Sequence, residues 1–212
     1  MRGGMPLESG AEVRERPILN IVSEKIALGP LRRDLVPLYS EWMNDFFVIR
    51  TFGDPPLPRT IERQTAWFEQ AATATDAIWF TIYEASTLRP IGRTDLFEID
   101  ERHGTCTFGL VIGEADARGK GYGTETCRLM LDYAFTALGM HNVRLDVDEF
   151  NIAGRRAYER AGFKECGRRR EATRMAGRRW DLVFMDCLAT EFESPVLAKT
   201  FQPDVPRLGG DA

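Results

Sequence analysis

The hydrophobic pattern changes its period between residues 77 and 138, and this change constrains the fold more than any other feature. Three apolar runs, at 77–83, 90–97 and 105–112, are separated by short polar joins, a spacing that predicts antiparallel neighbouring strands. Apolar residues then recur at i, i+3, i+4, i+7 and i+11, the pattern of an amphipathic helix ending at Gly139. The order predicts a mixed α/β domain. The helical positions are Cys127, Met130, Leu131, Ala134 and Leu138.

Weaker patterns flank this stretch on both sides. A short strand is predicted at 26–31, then a helix capped by Asp34 and a second helix that begins after Thr60. Downstream, the patterns predict a strand at 143–148, a helix at 152–161 stopped by Gly162, and a last strand at 180–188. We expect one domain over 21–190, between a mobile N-terminal tail (1–20) and a C-terminal tail (191–212).

The composition narrows the class of protein. Hydrophobic residues make up 43% of the chain, a balance typical of soluble globular proteins, and no apolar run reaches the roughly 20 residues of a membrane span. The net charge of −4 argues against a nucleic-acid partner, and the first residues lack the apolar core of a secretory signal. Four cysteines form neither a CxxC pair nor a zinc-site spacing, so no metal is expected. We expect a cytoplasmic protein without a membrane partner, and a homodimer stays open.

A glycine-rich turn joins the strand at 105–112 to the amphipathic helix. Gly119, Gly121 and Gly123 lie where backbone N–H groups at a helix N-terminus would suit a pyrophosphate, with Arg118 and Lys120 adding charge. The plain alternative is an ordinary strand-to-helix turn. The sequence contains no GxxxxGK[ST], and its GxGxG differs from the GxGxxG of dinucleotide-binding folds.

Two blocks of this sequence together resemble the GNAT acetyltransferases. Arg118-x-x-Gly121-x-Gly123 resembles the family's acetyl-CoA pyrophosphate motif, and residues 151–163 resemble its N-x-x-x-x-x-x-Y-x-x-x-G-F segment. The resemblance covers about 26–188 and is greatest to the ribosomal-protein N-terminal, polyamine and antibiotic acetyltransferases. It implies a mixed, mostly antiparallel sheet splayed between strands 4 and 5 and flanked by helices.

The resemblance also implies an activity. An acetyl group would pass from acetyl-CoA to a primary amine of a small molecule or protein N-terminus, by direct attack in a ternary complex. Backbone groups of one strand would bind the pantetheine arm, backbone amides of the turn would hold the pyrophosphate, and a helix would supply an amide contact. The residues so implied are Leu110, Val111 and Ile112, then Arg118, Gly119, Lys120, Gly121, Tyr122, Gly123 and Thr124, and finally Asn151.

The resemblance implies which residue is the catalytic acid, but it leaves the base open. The resemblance places Tyr158 near the sulfur, where a phenol with a pKa of roughly 10 can protonate the leaving thiolate. Many relatives carry a base glutamate where this chain has Thr107, which cannot act as a base. The remaining carboxylates are substrate-side candidates for the base, unless water removes the amine's proton: Asp95, Asp146 and Asp148.

Two rival interpretations remain open at this stage. A GNAT-fold transferase could take another acyl-CoA or an aminoacyl-tRNA as donor, and a non-catalytic module could bind acetyl-CoA without turnover. An arginine cluster late in the chain, at 168–170 and 178–179, fits a solvated hairpin, an anionic substrate contact or a contact to the 3′-phosphate of CoA.

Overall fold

The computed structural model of the protein describes residues 16–53 and 55–204. The strands are β1 (Ile21–Val22), β2 (Ile26–Pro30), β3 (Ile78–Glu84), β4 (Pro90–Asp100), β5 (Thr105–Ile112), β6 (Asn142–Asp148), β7 (Lys164–Met175) and β8 (Arg178–Leu188). The α-helices are α1 (Val36–Asn44), α2 (Phe46–Ile49), α3 (Ile61–Thr73), α4 (Tyr122–Asp132) and α5 (Ile152–Ala161).

One mixed sheet contains all these strands, in the order β1-β2-β3-β4-β5-β6-β8-β7. β1 to β5 follow chain order and pair antiparallel, as their short joins predict. β5 and β6 are parallel, and their pairing runs only from Thr105 opposite Asn142 to Thr107 opposite Arg144. Beyond Thr107 the sheet opens between these two strands. This confirms the predicted mostly antiparallel sheet that opens between two strands. The strands predicted as the fourth and fifth are β5 and β6, because β1 was not among the predicted strands.

The main core lies between one face of the sheet and helix α4. The predicted helical positions at 127, 130, 131 and 134 are all buried in it. A π-helical turn over Tyr133–Ala137 follows α4 and leaves Leu138 only half-buried. Gly139, at φ +69°, ends the helical segment as expected.

The N-terminal helices pack on the other face. The buried Tyr39 hydroxyl of α1 hydrogen-bonds the Thr81 hydroxyl, and Thr81 alternates along β3 with the core residues Phe80 and Ile82. Thr60 caps α3 as predicted, because its hydroxyl accepts from the Arg63 N–H at 3.2 Å. The predicted cap by Asp34 is wrong. A 3₁₀ turn precedes α1, and the Asp34 carboxylate instead accepts from the Arg32 guanidinium at 2.9 and 2.7 Å.

Residues beyond the predicted C-terminal boundary at 190 pack against the domain. The Leu197 side chain is buried in the core, and the Val196 and Leu197 N–H groups each donate to the buried Asp132 carboxylate at 2.9 Å. Part of the predicted C-terminal tail (191–212) therefore packs on the domain. Most of the predicted N-terminal tail (1–20) lies outside the described residues. Within 16–53 and 55–204, every helix is too short or too polar to cross a bilayer.

Candidate active site

A cavity of about 510 Å³ lies where β5 and β6 separate. β5, the turn before α4, α2 with the residues after it, and α5 form its walls. The structure thus brings together most of the residues predicted to bind the donor. Those lining the cavity are Leu110, Val111, Ile112, Arg118, Gly119, Gly121, Gly123, Thr124, Asn151 and Tyr158.

The glycine-rich turn leaves the N-terminus of α4 accessible. Gly119 and Gly121 have φ of +76° and +87°, the left-handed region that favours glycine, and Gly121 is the N-cap of α4. Gly121 has no side chain to cap the first turn, so the N–H groups of that turn need another acceptor. At the positive end of an eleven-residue helix, these groups suit an anion such as pyrophosphate.

The lining of this cavity is strongly basic. Arg50, Arg118, Arg156 and Arg160 line it, and no carboxylate does so among the described residues. The Lys25 ammonium adds a further charge, because it lies 3.6 Å from where a β-carbon on Gly121 would be. Of these five cations, only Arg118 was predicted from the sequence. The i, i+4 spacing of Arg156 and Arg160 on a predicted helix was the one available signal.

Arg118 is engaged by the protein itself. Its guanidinium donates to the carbonyls of Ile112 (3.3 Å) and Gly113 (2.6 Å), and it pairs with Asp45 at 3.3 Å. It also lies 4.7 Å from the centre of the Phe47 ring. Asp45 caps α2, so Arg118 joins the end of β5 to the helix above the cavity. This side chain holds the wall of the cavity in place.

Two predicted donor contacts do not line the cavity with their side chains. Lys120 is exposed outside it, and the Tyr122 hydroxyl donates to Glu84 at 2.6 Å, away from the cavity. Each can still contribute a backbone amide, the role predicted for the turn.

One edge of β5 is unpaired beside this cavity. From Phe108 to Ile112, β5 pairs with β4, while its pairing to β6 stops at Thr107 within the described residues. The backbone groups along that edge therefore have room for an added extended chain. On the facing helix α5, the residues that line the cavity are partly small ones, namely Ala153, Gly154 and Ala157. The Asn151 side chain caps this helix by accepting from the Gly154 N–H at 3.0 Å.

Tyr158 reaches the cavity from α5. Its ring packs edge-on against Phe108 and Phe163, with centroids 6.2 and 6.0 Å away. Among the described residues the hydroxyl makes no hydrogen bond. Burial, with smaller contributions from Cys127, Asp146 and Asp95, raises the pKa of this phenol, so it stays protonated at neutral pH.

Asp95 lies beside the opening of the sheet but not on the cavity lining. It is 7% exposed and is paired in register with Gly109 on β5. Burial raises the pKa of its carboxyl to about 7, an effect that Arg93 partly opposes. A carboxylate with such a pKa exchanges a proton near neutrality, as a general base must.

The other two candidate carboxylates differ from each other. Asp146 is exposed and lines a second cavity, of about 490 Å³, while Asp148 is buried and lines neither cavity. Burial raises the pKa of Asp148, and so does the charge of Asp146. Glu98 and Asp186 also line the second cavity, together with Arg144, so its lining is acidic where that of the first is basic.

Thr107 occupies the place of the expected base glutamate, where the pairing of β5 and β6 ends. Its hydroxyl donates to Glu98 at 2.8 Å and accepts from Arg144 at 3.1 Å, and Arg144 pairs with Glu98 at 2.8 Å. This position therefore joins the two strands, and Asp95 on β4 is paired in register with Gly109, two residues beyond it.

Comparisons with known proteins agree with this geometry. Residues 25–164 match the family model described as an acetyltransferase (GNAT) domain. An uncharacterized N-acetyltransferase of the SPbeta prophage of Bacillus subtilis (strain 168) is 24% identical over 69% of this chain and 81% of that protein. Alpha/beta-tubulin-N-acetyltransferase 9 of Homo sapiens is 29% identical over 68% of this chain and 75% of its own length.

A solved structure shares the fold. Spermidine N-acetyltransferase from Vibrio cholerae, in complex with CoA and spermine, superposes with a TM-score of 0.72 at 24% identity, over 79% of this chain and 97% of that one. The family match covers most of the chain, including the glycine-rich turn and Tyr158. The protein belongs to the GNAT family and is an N-acetyltransferase that uses acetyl-CoA.

Proposed function

We propose that this enzyme acetylates a primary amine by direct attack in a ternary complex, with Asp95 as the base and Tyr158 as the acid. The observation that carries the proposal is the edge of β5 that is unpaired within 16–53 and 55–204, beside a cavity that these residues line with arginines and no carboxylate. An extended pantetheine arm fits such an edge, and a pyrophosphate fits such a lining. Acetyl-CoA supplies the thioester that makes the acetyl group transferable.

Donor binding would divide between backbone and side chains. Leu110, Val111 and Ile112 offer the backbone groups of the free edge, and the amides from Arg118 to Thr124 face the pyrophosphate. Arg156, Arg160 and Lys25 supply charge, and Asn151 offers its side-chain amide beside the pantetheine.

Acceptor binding would take place on the acidic side of the opening. Asp95 is paired in register with Gly109, the neighbour of Phe108, whose ring packs against Tyr158, and Asp146 lines the acidic second cavity. Negative potential there favours an amine that arrives protonated, and Asp95, with a pKa of about 7, then accepts its proton. Asp148 contributes charge from a buried position.

Tyr158 would complete the reaction at the sulfur. Its raised pKa keeps the hydroxyl protonated, and its lack of a hydrogen-bond partner among the described residues leaves that proton available. As the amine nitrogen bonds to the acetyl carbon, the carbon–sulfur bond breaks and the phenol gives its proton to the departing thiolate. The phenolate then takes the excess proton from the nitrogen of the new amide.

The cysteines bear on the compartment, and the named relatives bear on the class of acceptor. All four cysteines are free thiols and three are buried, which supports a reducing compartment such as the cytoplasm. Among the relatives, one is named for spermidine and another for tubulin, so both small amines and protein N-termini stay within the proposal.

A panel of amines tests the proposal, with free CoA thiol as the readout. We expect turnover with acetyl-CoA and a primary amine, and less with longer acyl-CoA donors. Asp95→Asn should reduce turnover at saturating acetyl-CoA while calorimetric titration shows unchanged donor binding. Acetyl-CoA binding without turnover on any amine would refute the proposal in favour of a non-catalytic module.

A further inference from the structure

The hairpin formed by β7 and β8 projects beyond the rest of the sheet. β6 pairs with β8 only as far as Asp148 opposite Leu182. Beyond that point, among the described residues, β8 pairs only with β7, from Thr173 opposite Trp180 to Met175 opposite Arg178. Ala176 and Gly177, at φ of +52° and +75°, form a two-residue turn of the I′ kind, which fixes a tight tip. The solvated hairpin considered for the arginine cluster at 168–170 and 178–179 is present, although no bounds were predicted for β7, whose residues are mostly charged and show no apolar alternation.

This tip carries a concentration of unneutralised positive charge on a protein with a net charge of −4. Arg168, at the base, pairs with Glu165 at 2.6 Å and Glu149 at 3.1 Å. Five further arginines are exposed and make no ion pair with any described residue. These five, defined here as the arginine tip, are Arg169, Arg170, Arg174, Arg178 and Arg179.

Two members of the arginine tip face each other across the hairpin. Arg174 and Arg179 are direct cross-strand partners. Like charges at directly opposed positions destabilise an antiparallel pair, and a two-stranded ribbon is only marginally stable by itself. The protein thus keeps a repulsive pair of arginines on the projecting part of the β7–β8 hairpin. An anionic partner bound there would reduce this repulsion.

The tip lies close to the opening of the sheet. The Glu149 N–H donates to the Asp181 carbonyl at 3.0 Å, and the Phe150 ring packs against Trp180 with centroids 5.8 Å apart. The next residue, Asn151, lines the donor cavity. No arginine of the tip lines that cavity, so a partner bound there would reach the active site from outside.

We propose that the arginine tip docks an acidic segment of a protein acceptor, and so selects protein amines followed by runs of Asp or Glu. This deepens the proposed function and rests on it. Arginine forks bind carboxylates in bidentate pairs, so five exposed arginines on one short hairpin suit an acidic peptide. A nucleic acid fits less well. Trp180, the aromatic residue beside the tip, is half-buried and donates its indole N–H to the Met175 carbonyl, so its ring is not free to stack on a base.

Docking is testable without turnover, by fluorescence anisotropy with an N-terminally blocked oligoglutamate. We expect binding that weakens about tenfold or more in Arg174→Ser/Arg179→Ser and is absent for oligoglutamine. Arg102→Ser/Lys199→Ser, which removes the same charge from exposed positions elsewhere, should bind like wild type. Equal weakening in both variants, or tighter binding of an RNA oligonucleotide of equal charge, would overturn the proposal.

Turnover then tests the substrate class. Peptides with the same free N-terminus are followed by either Glu or Gln residues, and KM and kcat are measured for each. Wild type should show the lower KM for the Glu peptide, and the Arg174→Ser/Arg179→Ser variant should lose that preference with kcat and acetyl-CoA KM unchanged. A raised acetyl-CoA KM would assign the tip to the CoA 3′-phosphate instead. If no amine is acetylated, the proposed function fails, whereas the anisotropy still decides docking.

Discussion

The Asp95 carboxylate lies over the α-carbon of Gly109, in the space that a side chain on Gly109 would need. A β-carbon built at this glycine would be 2.7 and 2.9 Å from the two carboxylate oxygens. Gly109 lies two residues beyond Thr107, the last position where β5 pairs with β6. The glycine therefore lets a carboxylate from β4 reach the open edge of β5.

Gly109→Ala is expected to displace this carboxylate without unfolding the protein. The clashing atoms are the end of a side chain that can rotate, so the fold has a route to relieve the overlap. If Asp95 is the base, kcat should fall by about tenfold or more, since general-base catalysis contributes roughly 10²–10⁴-fold. The double variant Gly109→Ala/Asp95→Asn should be no slower than Asp95→Asn alone. Multiplicative losses would mean that Gly109 acts independently of Asp95.

The pH dependence of the reaction gives a second test of Asp95. Because burial raises the pKa of this carboxyl to about 7, it is protonated and inactive as a base below that pH. kcat/KM should therefore rise with pH through about 7, and Asp95→Asn should lack this inflection. The profile is measured with a small alkylamine, which titrates at about pH 10 and so keeps its own limb separate, because an α-amino acceptor titrates at about pH 8. An unchanged inflection near 7 in Asp95→Asn would assign it to another group.

The same shift predicts a stability effect. An acid whose pKa is higher in the folded state binds protons more tightly when folded, so its ionisation opposes folding. The free energy of unfolding should fall as pH rises from about 4, the unfolded pKa, to about 7, and stay lowered above. Asp95→Asn should thus raise Tm over wild type more at pH 8 than at pH 5. A larger gain at pH 5 would contradict the raised pKa.

The donor turn is tested by Gly121→Val against a matched variant. Gly121 and Gly139 both have positive φ, +87° and +69°, so valine strains the backbone at either site. Only Gly121 lines the cavity, and a β-carbon at Gly139 meets nothing within 4 Å. Calorimetric titration of the folded variants should show acetyl-CoA affinity at least tenfold lower, about 1.4 kcal/mol, for Gly121→Val, beyond any loss in Gly139→Val. Equal losses would remove the turn as the phosphate site.

The sequence predicts some parts of this site well and others poorly, for physical reasons. The strand and helix order and the turn around Gly121 are predicted because periodicity and glycine positions are local properties of the sequence, whereas the splay of the sheet was implied by the family resemblance. The cations Lys25 and Arg50 were missed because only tertiary packing brings their loops to the cavity. The tethering of Arg118 by Asp45, far away in sequence, was hidden for the same reason. Asp95 could be named as a candidate, but its closeness to Gly109 depends on strand register.

Tyr158→Phe separates catalysis from packing. The ring fits edge-on between Phe108 and Phe163, and phenylalanine keeps those contacts. Because the hydroxyl has no hydrogen-bond partner among the described residues, its removal should leave Tm and acetyl-CoA affinity close to wild type. As the acid toward the leaving thiolate, it should contribute roughly 10²–10⁴-fold to kcat, and the variant should lose about that much.

Tyr122→Phe is the matched control for this loss. It removes a hydroxyl that donates to Glu84 at 2.6 Å outside the cavity, so it should lower Tm slightly and leave kcat within a small factor. Removing the two hydroxyl groups should therefore have opposite effects. Tyr158→Phe lowers kcat without lowering Tm, and Tyr122→Phe lowers Tm without lowering kcat. A folded Tyr158→Phe enzyme that binds acetyl-CoA and turns over near the wild-type rate would remove Tyr158 from the mechanism. The proton would then come from water at the open edge of β5, and Asp95 would be left as the one side chain that transfers a proton.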